Sequence, residues 1–257
     1  MRRPFHPFAL VAGSILLACT LAAPALAASS SPTALQASIA AAVRAQHSVR
    51  ITQVARTTGA LAKLYDKVTV MTDAGATQGA RQYSFQQGKT SKSLAVLVLA
   101  DADYVRASSA TLLINSLGFR VAASIKYAGV WIAIPRANRA YATVANGVTL
   151  ASAYDELSLP SPSLGPERTV DGRRVRTLST DTTQNGTVLN ATLYAQATGP
   201  PLPVLEISTL QQGGAHVTGR LQSVATLTDW NAPLHVVAPP NAVPLAKTGL
   251  QAPAPRS

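Results

Sequence analysis

The sequence predicts an α+β fold that is mostly antiparallel β-structure, with one strongly curved sheet and a few helices on one of its faces. Apolar and polar residues alternate with a period of two from Ser48 onward, which is typical of half-buried strands. Later in the chain, four such runs follow one another with short turns between them, as in an antiparallel meander. Before Ser48, apolar residues recur at helical spacing. A curved sheet buries its concave side, and helices that cover this side incompletely leave an apolar cavity.

The first 27 residues are predicted to be a secretory signal peptide. Two arginines precede an apolar run over residues 9–23, and a small-residue cleavage site ends at Ala27, which is the usual order of such a signal. In a second interpretation, Leu16-Leu17-Ala18-Cys19 is a bacterial lipobox and Cys19 is the candidate lipidation site. The residues that follow Cys19 stay apolar, which favours cleavage after Ala27. Both interpretations predict an exported protein, either secreted or attached to the outer face of the cytoplasmic membrane.

The mature chain is predicted to begin with a helix over residues 34–46. Leu35 and Ile39 lie one turn apart, and the stretch contains neither Gly nor Pro, as expected of a helix. Ser31 or Thr33 is the candidate N-cap. Two further short helices are predicted over residues 109–117 and 143–157, which are rich in Leu, Ala and small polar residues.

The predicted strands lie before, between and after these two internal helices. Strands are expected in residues 49–54, 67–71, 83–86, 94–100, 104–106, 129–135, 173–181, 187–197, 203–210 and 216–228. The last four runs follow a linker at Pro160-Ser161-Pro162 and form the meander. From these ten runs we expect about eight or nine strands in a single domain over residues 28–246, with a disordered tail over residues 247–257.

Composition excludes several classes of protein. The chain has 257 residues, of which 47% are hydrophobic and 13% charged, with a net charge of +11. A disordered chain would contain less apolar material and a coiled coil more charge. The basic excess lies in the first half of the chain and predicts an anionic neighbour, such as a membrane surface or a cell-wall polymer. Nucleic acid is disfavoured because the strands lack a clustered basic and aromatic platform.

Residues suited to catalysis are few. His47, His216 and His235 are scattered, and the acidic pairs Asp155-Glu156 and Asp101-Ala102-Asp103 fall at predicted element ends, where turn and cap roles explain them. No nucleophile elbow, zinc-protease motif or phosphate-binding glycine loop is present. The sequence therefore predicts a protein that is not an enzyme and has no metal or cofactor.

Several segments, read together, resemble one protein family. They are Tyr104-Val105-Arg106, Gly129-Val130-Trp131-Ile132-Ala133-Ile134-Pro135, Val170-Asp171-Gly172-Arg173-Arg174-Val175, Leu193-Tyr194-Ala195-Gln196-Ala197-Thr198-Gly199-Pro200-Pro201-Leu202-Pro203, and Thr228-Asp229-Trp230 with Pro233, Val237, Pro239 and Pro240 after it. Their content and order resemble the LppX/LprAFG lipoproteins of actinobacteria, which share the half-barrel fold of the LolA and LolB lipoprotein carriers. The resemblance covers nearly all of the mature chain.

The resemblance implies a LolA-like half-barrel whose helices close a hydrophobic cavity for the acyl chains of a lipid or lipoglycan, in a monomer that binds no nucleic acid. The alternative is an envelope interaction or sensor protein with a filled core and a basic docking face. Candidate cavity-lining residues are the apolar residues of the predicted strands and helices: Val49, Ile51, Val68, Val70, Phe85, Val96, Val98, Leu112, Leu113, Trp131, Leu150, Leu189, Leu193, Leu205, Ile207 and Leu221.

Overall fold

The computed structural model describes residues 31–117, 119–184, 186–212 and 219–249. In these ranges the chain forms four α-helices, which are α1 Pro32–Arg44, α2 Ala110–Leu117, α3 Val121–Tyr127 and α4 Leu150–Leu157. It also forms twelve strands, which are β1 Ser48–Gly59, β2 Lys67–Gly75, β3 Gly79–Gln87, β4 Thr90–Val98, β5 Ala102–Ala107, β6 Ile132–Pro135, β7 Ser163–Val170, β8 Arg173–Gln184, β9 Thr187–Gln196, β10 Pro203–Gln212, β11 Gly219–Thr228 and β12 Val243–Pro244.

All twelve of these strands belong to one sheet. Their order is β12-β6-β5-β4-β3-β2-β1-β11-β10-β9-β8-β7. Two antiparallel meanders, β1 to β6 and β7 to β11, are joined where β1 pairs antiparallel with β11. Among the described strands only β12 and β6 pair in parallel. The sheet is curved and does not close, so the predicted α+β, mostly antiparallel half-barrel is confirmed.

Helix α1 matches its sequence prediction closely. The Ser31 side chain accepts a hydrogen bond from the backbone N–H of Ala34 at 3.1 Å, and Pro32 occupies the first turn, where a missing N–H costs nothing. Leu35, Ile39 and Val43 form the buried stripe of the helix. Their spacing of four residues places them on one side of α1, which packs against α4 and β8.

The helices cover one side of the sheet, which we call the inner face. Two clusters of buried residues fill it. The first core joins the apolar stripe of α1 and the buried side of α4 to β1, β8, β9 and β11. The second core joins α2 and the residues around α3 to β4, β5 and β6. Burial of apolar area at about 25 cal/mol per Å² makes these two cores the main source of stability.

The elements differ from the sequence prediction at three places. The described residues hold twelve strands and four helices, whereas eight or nine strands and three helices were expected. Strand β7 contains Pro166, which is tolerated because β7 lies at the edge of the sheet and carries a bulge between Gly165 and Arg168. Helix α3 is short and carries too few periodic residues to be recognised. The helix expected over 143–157 is limited to α4, since Gly147 adopts a φ of +70° before it.

The C-terminal residues return to the edge of the sheet that is formed by β6. Strand β12 pairs with β6, a 3₁₀ turn covers Leu245–Lys247, and the Tyr127 hydroxyl donates to the backbone carbonyl of Lys247 at 3.3 Å. The tail was expected to begin at Lys247, and residues 250–257 lie outside the described residues. The same holds for the predicted signal peptide and Cys19. In the described ranges no helix is long and apolar enough to cross a membrane.

Candidate functional site

A cavity of about 250 Å³ lies between the inner face of the sheet and α4. Its apolar lining comes from five strands, α4 and the residues just after α4, and it includes Ile51, Val70, Leu157, Leu159, Leu189, Leu210, Leu221 and Ala225. Its polar lining comes from these elements and from β3, which carries Arg81, and it consists of Gln53, Thr72, Arg81, Glu156, Ser158, Glu206 and Ser208. The cavity is therefore amphiphilic, with more apolar than polar wall.

Strand pairing explains why residues far apart in sequence meet here. Glu206 on β10 lies opposite Ala225 on β11, which lies opposite Gln53 on β1, which lies opposite Val70 on β2. Paired residues point to the same side of a sheet, and so do residues two apart along a strand. The inner positions of five neighbouring strands, β9, β10, β11, β1 and β2, thus form the floor of one site.

One end of the cavity is bordered by three leucines that no helix covers completely. Leu210 lies opposite Leu221 and Leu189 on the two neighbouring strands, so the three form a row across the inner face. Leu210 is 37% exposed, and Leu189 and Leu221 are partly buried. We call this row the leucine rim. It presents apolar surface next to an internal space, which is the arrangement expected at the mouth of a binding cavity.

An ion pair ties α4 to the sheet at the other end. Arg81 Nη1 and Nη2 donate to Glu156 Oε1 and Oε2 at 2.9 and 2.7 Å, a bidentate geometry that fixes both side chains. Arg81 also donates to the backbone carbonyl of Asn146 at 3.2 Å. The side chain of Arg81 is 9% exposed and that of Glu156 44%. A Cβ at Gly147 would overlap both partners, so glycine is required beside the pair.

The centre of the cavity floor is polar. We call Gln53, Glu206 and Ser208 the polar centre. The amide of Gln53 donates to the hydroxyl of Ser223 at 2.9 Å, and Ser223 lies opposite Ser208. Glu206 is only 8% exposed. Burial raises the pKa of the Glu206 carboxyl above its ordinary value, a hydrogen bond from Ser208 acts against this rise, and the charge of Glu156 adds to it.

The sixteen residues predicted to line a cavity have different positions. Ile51, Val70, Leu189 and Leu221 line the cavity. Seven others lie in the two cores and do not line the cavity: Val49, Leu150, Leu193, Val96, Val98, Leu112 and Leu113. Two more lie outside both cores: Val68 is on the inner face, and Phe85 packs against the second core.

The remaining three predicted residues lie on the outer face. Trp131 stacks under the guanidinium of Arg106 at 4.8 Å from the ring centroid. Leu205 and Ile207 alternate with the inner residue Glu206, and Ile207 is 43% exposed. A bulge between Pro203 and Leu205 determines which residues of β10 point to the inner face. The sequence prediction placed Leu205 and Ile207 on the inner side of β10, whereas the pairing of β10 with β9 places Glu206 there.

The polar residues of the site were not predicted. Glu156 was interpreted as a cap or turn residue, but it lies within α4 and pairs with Arg81, which is 75 positions away in sequence. Asp103 lies in β5 with Arg136 at 3.6 Å, and not in a turn. Gln53 and Glu206 each stand at a position where the period-two alternation predicts an apolar residue. This interruption of the pattern is the signal that could have identified them.

The described histidines do not line this cavity. His47 and His235 are exposed, and His216 lies outside the described residues. Among the residues that the structure describes, no group of three or more His, Cys, Asp or Glu side chains could hold a metal ion. What the cavity offers is apolar surface, one internally paired arginine and uncharged or carboxyl hydrogen-bonding groups.

Comparison with known proteins gives similarity in fold. No protein-family model and no curated protein sequence matches the chain. Among solved structures, LprF from Mycobacterium bovis is 13% identical, covers 81% of this chain and 96% of its own, and has a TM-score of 0.47. LppX from Mycobacterium tuberculosis is 16% identical over 80% of this chain and 99% of its own, with a TM-score of 0.43.

A LolA superfamily protein from Nitrosomonas europaea is 8% identical over 80% of this chain and 95% of its own, with a TM-score of 0.30. At these identities the likeness concerns the fold alone. The solved structures that share this similarity include LprF and LppX, the family that the sequence motifs resemble.

Proposed function

We propose that this protein is an extracytoplasmic lipid-binding protein that shelters an acyl or alkyl chain in the inner-face cavity and catalyses no reaction. The observation that carries this proposal is the leucine rim, whose partly exposed side chains lie beside an internal space on the helix-covered side of the sheet. Apolar surface in this position gains about 25 cal/mol for each Å² that a hydrocarbon chain covers. A lipid carrier needs an apolar protein surface that replaces the membrane around the hydrocarbon chain, and it needs no catalytic group.

The size of the cavity suits one chain. Its volume of about 250 Å³ lies just below the range of about 300–1,000 Å³ that is usual for small-molecule sites. Helix α4 forms one wall, and the Arg81–Glu156 pair connects this wall to β3. Displacement of α4 would enlarge the space, so a lipid or lipoglycan with more than one chain would require this movement.

Charge and the predicted signal peptide support a site of action at the membrane surface. The chain carries 22 Lys and Arg against 11 Asp and Glu. A basic protein is attracted to anionic lipid headgroups within about one Debye length. Export follows from the predicted signal over residues 1–27, with either a free N-terminus or lipidated Cys19 as its product. The protein would thus collect or deliver lipid at an anionic membrane or cell-wall surface.

Two matched variants on the same strand test the proposal. Leu210→Asp places a charge on the leucine rim, and Ile207→Asp places the same charge on the outer face at similar exposure. Binding of the neutral fluorescent probe N-phenyl-1-naphthylamine is measured for both. We expect the Leu210→Asp variant to lose at least tenfold in affinity and the Ile207→Asp variant to bind like the wild type. Equal effects of the two substitutions would contradict a site on the inner face.

Native mass spectrometry of protein purified from a bacterial host gives a second measurement. We expect a lipid adduct on the wild-type protein that is reduced in the Leu210→Asp variant. The same spectrum distinguishes a chain that begins at Ala28 from one that begins at a lipidated Cys19. Protein at its bare polypeptide mass, together with no probe binding, would refute the lipid-binding function.

A second candidate function is that of an envelope interaction protein. Ile207 and Val224 lie opposite each other on the outer face, and each is more than two-fifths exposed. Exposed apolar pairs of this kind occur at protein contacts. This candidate predicts that Ile207→Asp, and not Leu210→Asp, removes the function in cells.

A further inference from the structure

The cavity floor is polar at a place where a site for a plain hydrocarbon chain would be apolar. Along the strands, four rows of inner residues follow one another. Ile51 and Leu227 form an apolar row, Gln53 and Glu206 lie in the second row, Ser208 lies in the third row, and the leucine rim comes last. Successive rows are two residues apart, which is about 6.6 Å along a strand. A chain that lies in the cavity would therefore pass from apolar surface over hydrogen-bonding groups to apolar surface again.

The charges in the cavity select against an anion at this centre. Arg81 is the only cationic side chain in the described lining, and both of its terminal nitrogens are bound to Glu156. Glu206 is buried, has no basic residue among its interacting groups, and shares the cavity with a second carboxyl group. An anionic group placed over the polar centre would meet a carboxyl group, whereas the charge of Arg81 is already balanced by Glu156.

The hydrogen-bonding groups of the centre suit an uncharged hydroxyl. The Gln53 amide and the Ser208 hydroxyl each combine donor and acceptor atoms, and the Glu206 carboxyl accepts hydrogen bonds. A hydroxyl group on a ligand also donates and accepts, so it can satisfy a carboxyl that is otherwise bonded only to Ser208. Buried polar groups are costly when they lack partners.

We propose that the cavity selects chains that carry an uncharged hydroxyl group between two apolar portions, with Glu206 as the residue that recognises this hydroxyl. The inference rests on the proposed lipid-binding function and specifies its ligand class. The leucine rim and the Ile51 row hold the hydrocarbon on either side of the hydroxyl. Ser208 positions the carboxyl group, and Gln53 completes the hydrogen-bonding set.

Displacement of N-phenyl-1-naphthylamine by four chains of ten carbons tests this inference. The chains are methyl 6-hydroxydecanoate, methyl decanoate, decanoate and decylamine. For the wild-type protein we expect methyl 6-hydroxydecanoate to bind about three- to tenfold more tightly than methyl decanoate, which corresponds to one net hydrogen bond. Decanoate is expected to bind more weakly than either ester.

Variants at Glu206 show whether this residue is the cause. Glu206→Gln keeps a hydrogen-bonding side chain of the same shape and should keep the preference for the hydroxylated ester. Glu206→Leu should abolish or reverse it while N-phenyl-1-naphthylamine still binds. Glu167→Gln, a carboxyl-to-amide change at an exposed position of β7, serves as the control and should change nothing. Circular dichroism melting confirms that each variant is folded.

The outcomes separate this inference from the proposed function. An unchanged preference in Glu206→Leu, or equal binding of the two esters by the wild type, overturns the inference and leaves lipid binding intact. If decylamine binds most tightly and loses this affinity in Glu206→Gln, the inference is overturned and the site binds cations. Failure of N-phenyl-1-naphthylamine itself to bind refutes the lipid-binding function and the inference with it.

Discussion

The inner face of the sheet is filled under α2 and α3 but hollow under α4, although the strands in both halves alternate in the same way. In the second core the inner positions of β4, β5 and β6 carry branched aliphatic residues, such as Val96, Val105 and Ile132, and all of them are buried. Phe119 and Tyr141 close this core with an edge-to-face contact at 5.7 Å between ring centroids.

Under α4 the corresponding inner positions carry different residues. Gln53, Glu206 and Ser208 replace the branched aliphatic residues, and Ala225 lies between two of them. Polar and small side chains cannot interdigitate with the apolar side of a helix, so a space remains. The comparison indicates that a few inner side chains determine where the cavity lies.

Matched Leu→Ala substitutions in the two halves should give the largest difference. Leu113 is fully buried in the second core, so Leu113→Ala should lower the free energy of unfolding by about 2–5 kcal/mol. Leu221 borders the cavity, so Leu221→Ala leaves little new void and should cost about 1 kcal/mol or less. Urea unfolding followed by circular dichroism measures both. Similar losses would mean that the space under α4 is as well packed as the second core.

The sequence allowed most elements of both halves to be predicted but not this difference between them. Helix α1 and strands β8 to β11 follow from capping, periodicity and turn residues, which are local properties. The side on which Glu206 lies depends on a bulge in the pairing of β10 with β9. The contact between Arg81 and Glu156 depends on the tertiary placement of α4. Neither can be deduced from a local pattern, so four of the predicted lining residues line the cavity and its polar residues were missed.

The ion pair that connects α4 to the sheet should have an intermediate effect. Glu156→Gln leaves the buried Arg81 without its counter-charge, which should lower the free energy of unfolding by about 1–3 kcal/mol. The loss stays below that of a fully buried pair because Glu156 is half exposed. Glu156→Gln should also speed the uptake of N-phenyl-1-naphthylamine, since α4 is held less firmly over the cavity.

The matched control for this pair is Glu167→Gln. Glu167 and Arg174 form an exposed pair on the edge strands, where solvent weakens the attraction. Urea unfolding and stopped-flow fluorescence should show little change for this variant. Faster uptake in both variants would point to an effect of net charge and not to the movement of α4.

The buried carboxyl of Glu206 should give the smallest effect, visible as a pH dependence confined to the hollow half. Because burial raises its pKa, the folded protein binds this proton more tightly than the unfolded chain does. The resulting stabilisation is present below the ordinary glutamate pKa of about 4.3 and is lost as the pH rises through the raised value. Glu206→Gln lacks this dependence, so the stability of the wild type relative to this variant should fall with rising pH in that window.

Urea unfolding of both proteins at several pH values measures this difference. Asp103, whose pKa burial also raises in spite of the nearby Arg136, titrates in both proteins and cancels in the comparison. Glu156 and Arg81 share the cavity with Glu206, so the pair of curves is repeated in the Glu156→Gln background, where the rise in the Glu206 pKa should be smaller. Parallel curves for the wild type and Glu206→Gln would show that the carboxyl is solvated in the folded protein, and the polar centre would then be part of the open mouth and not of the buried floor.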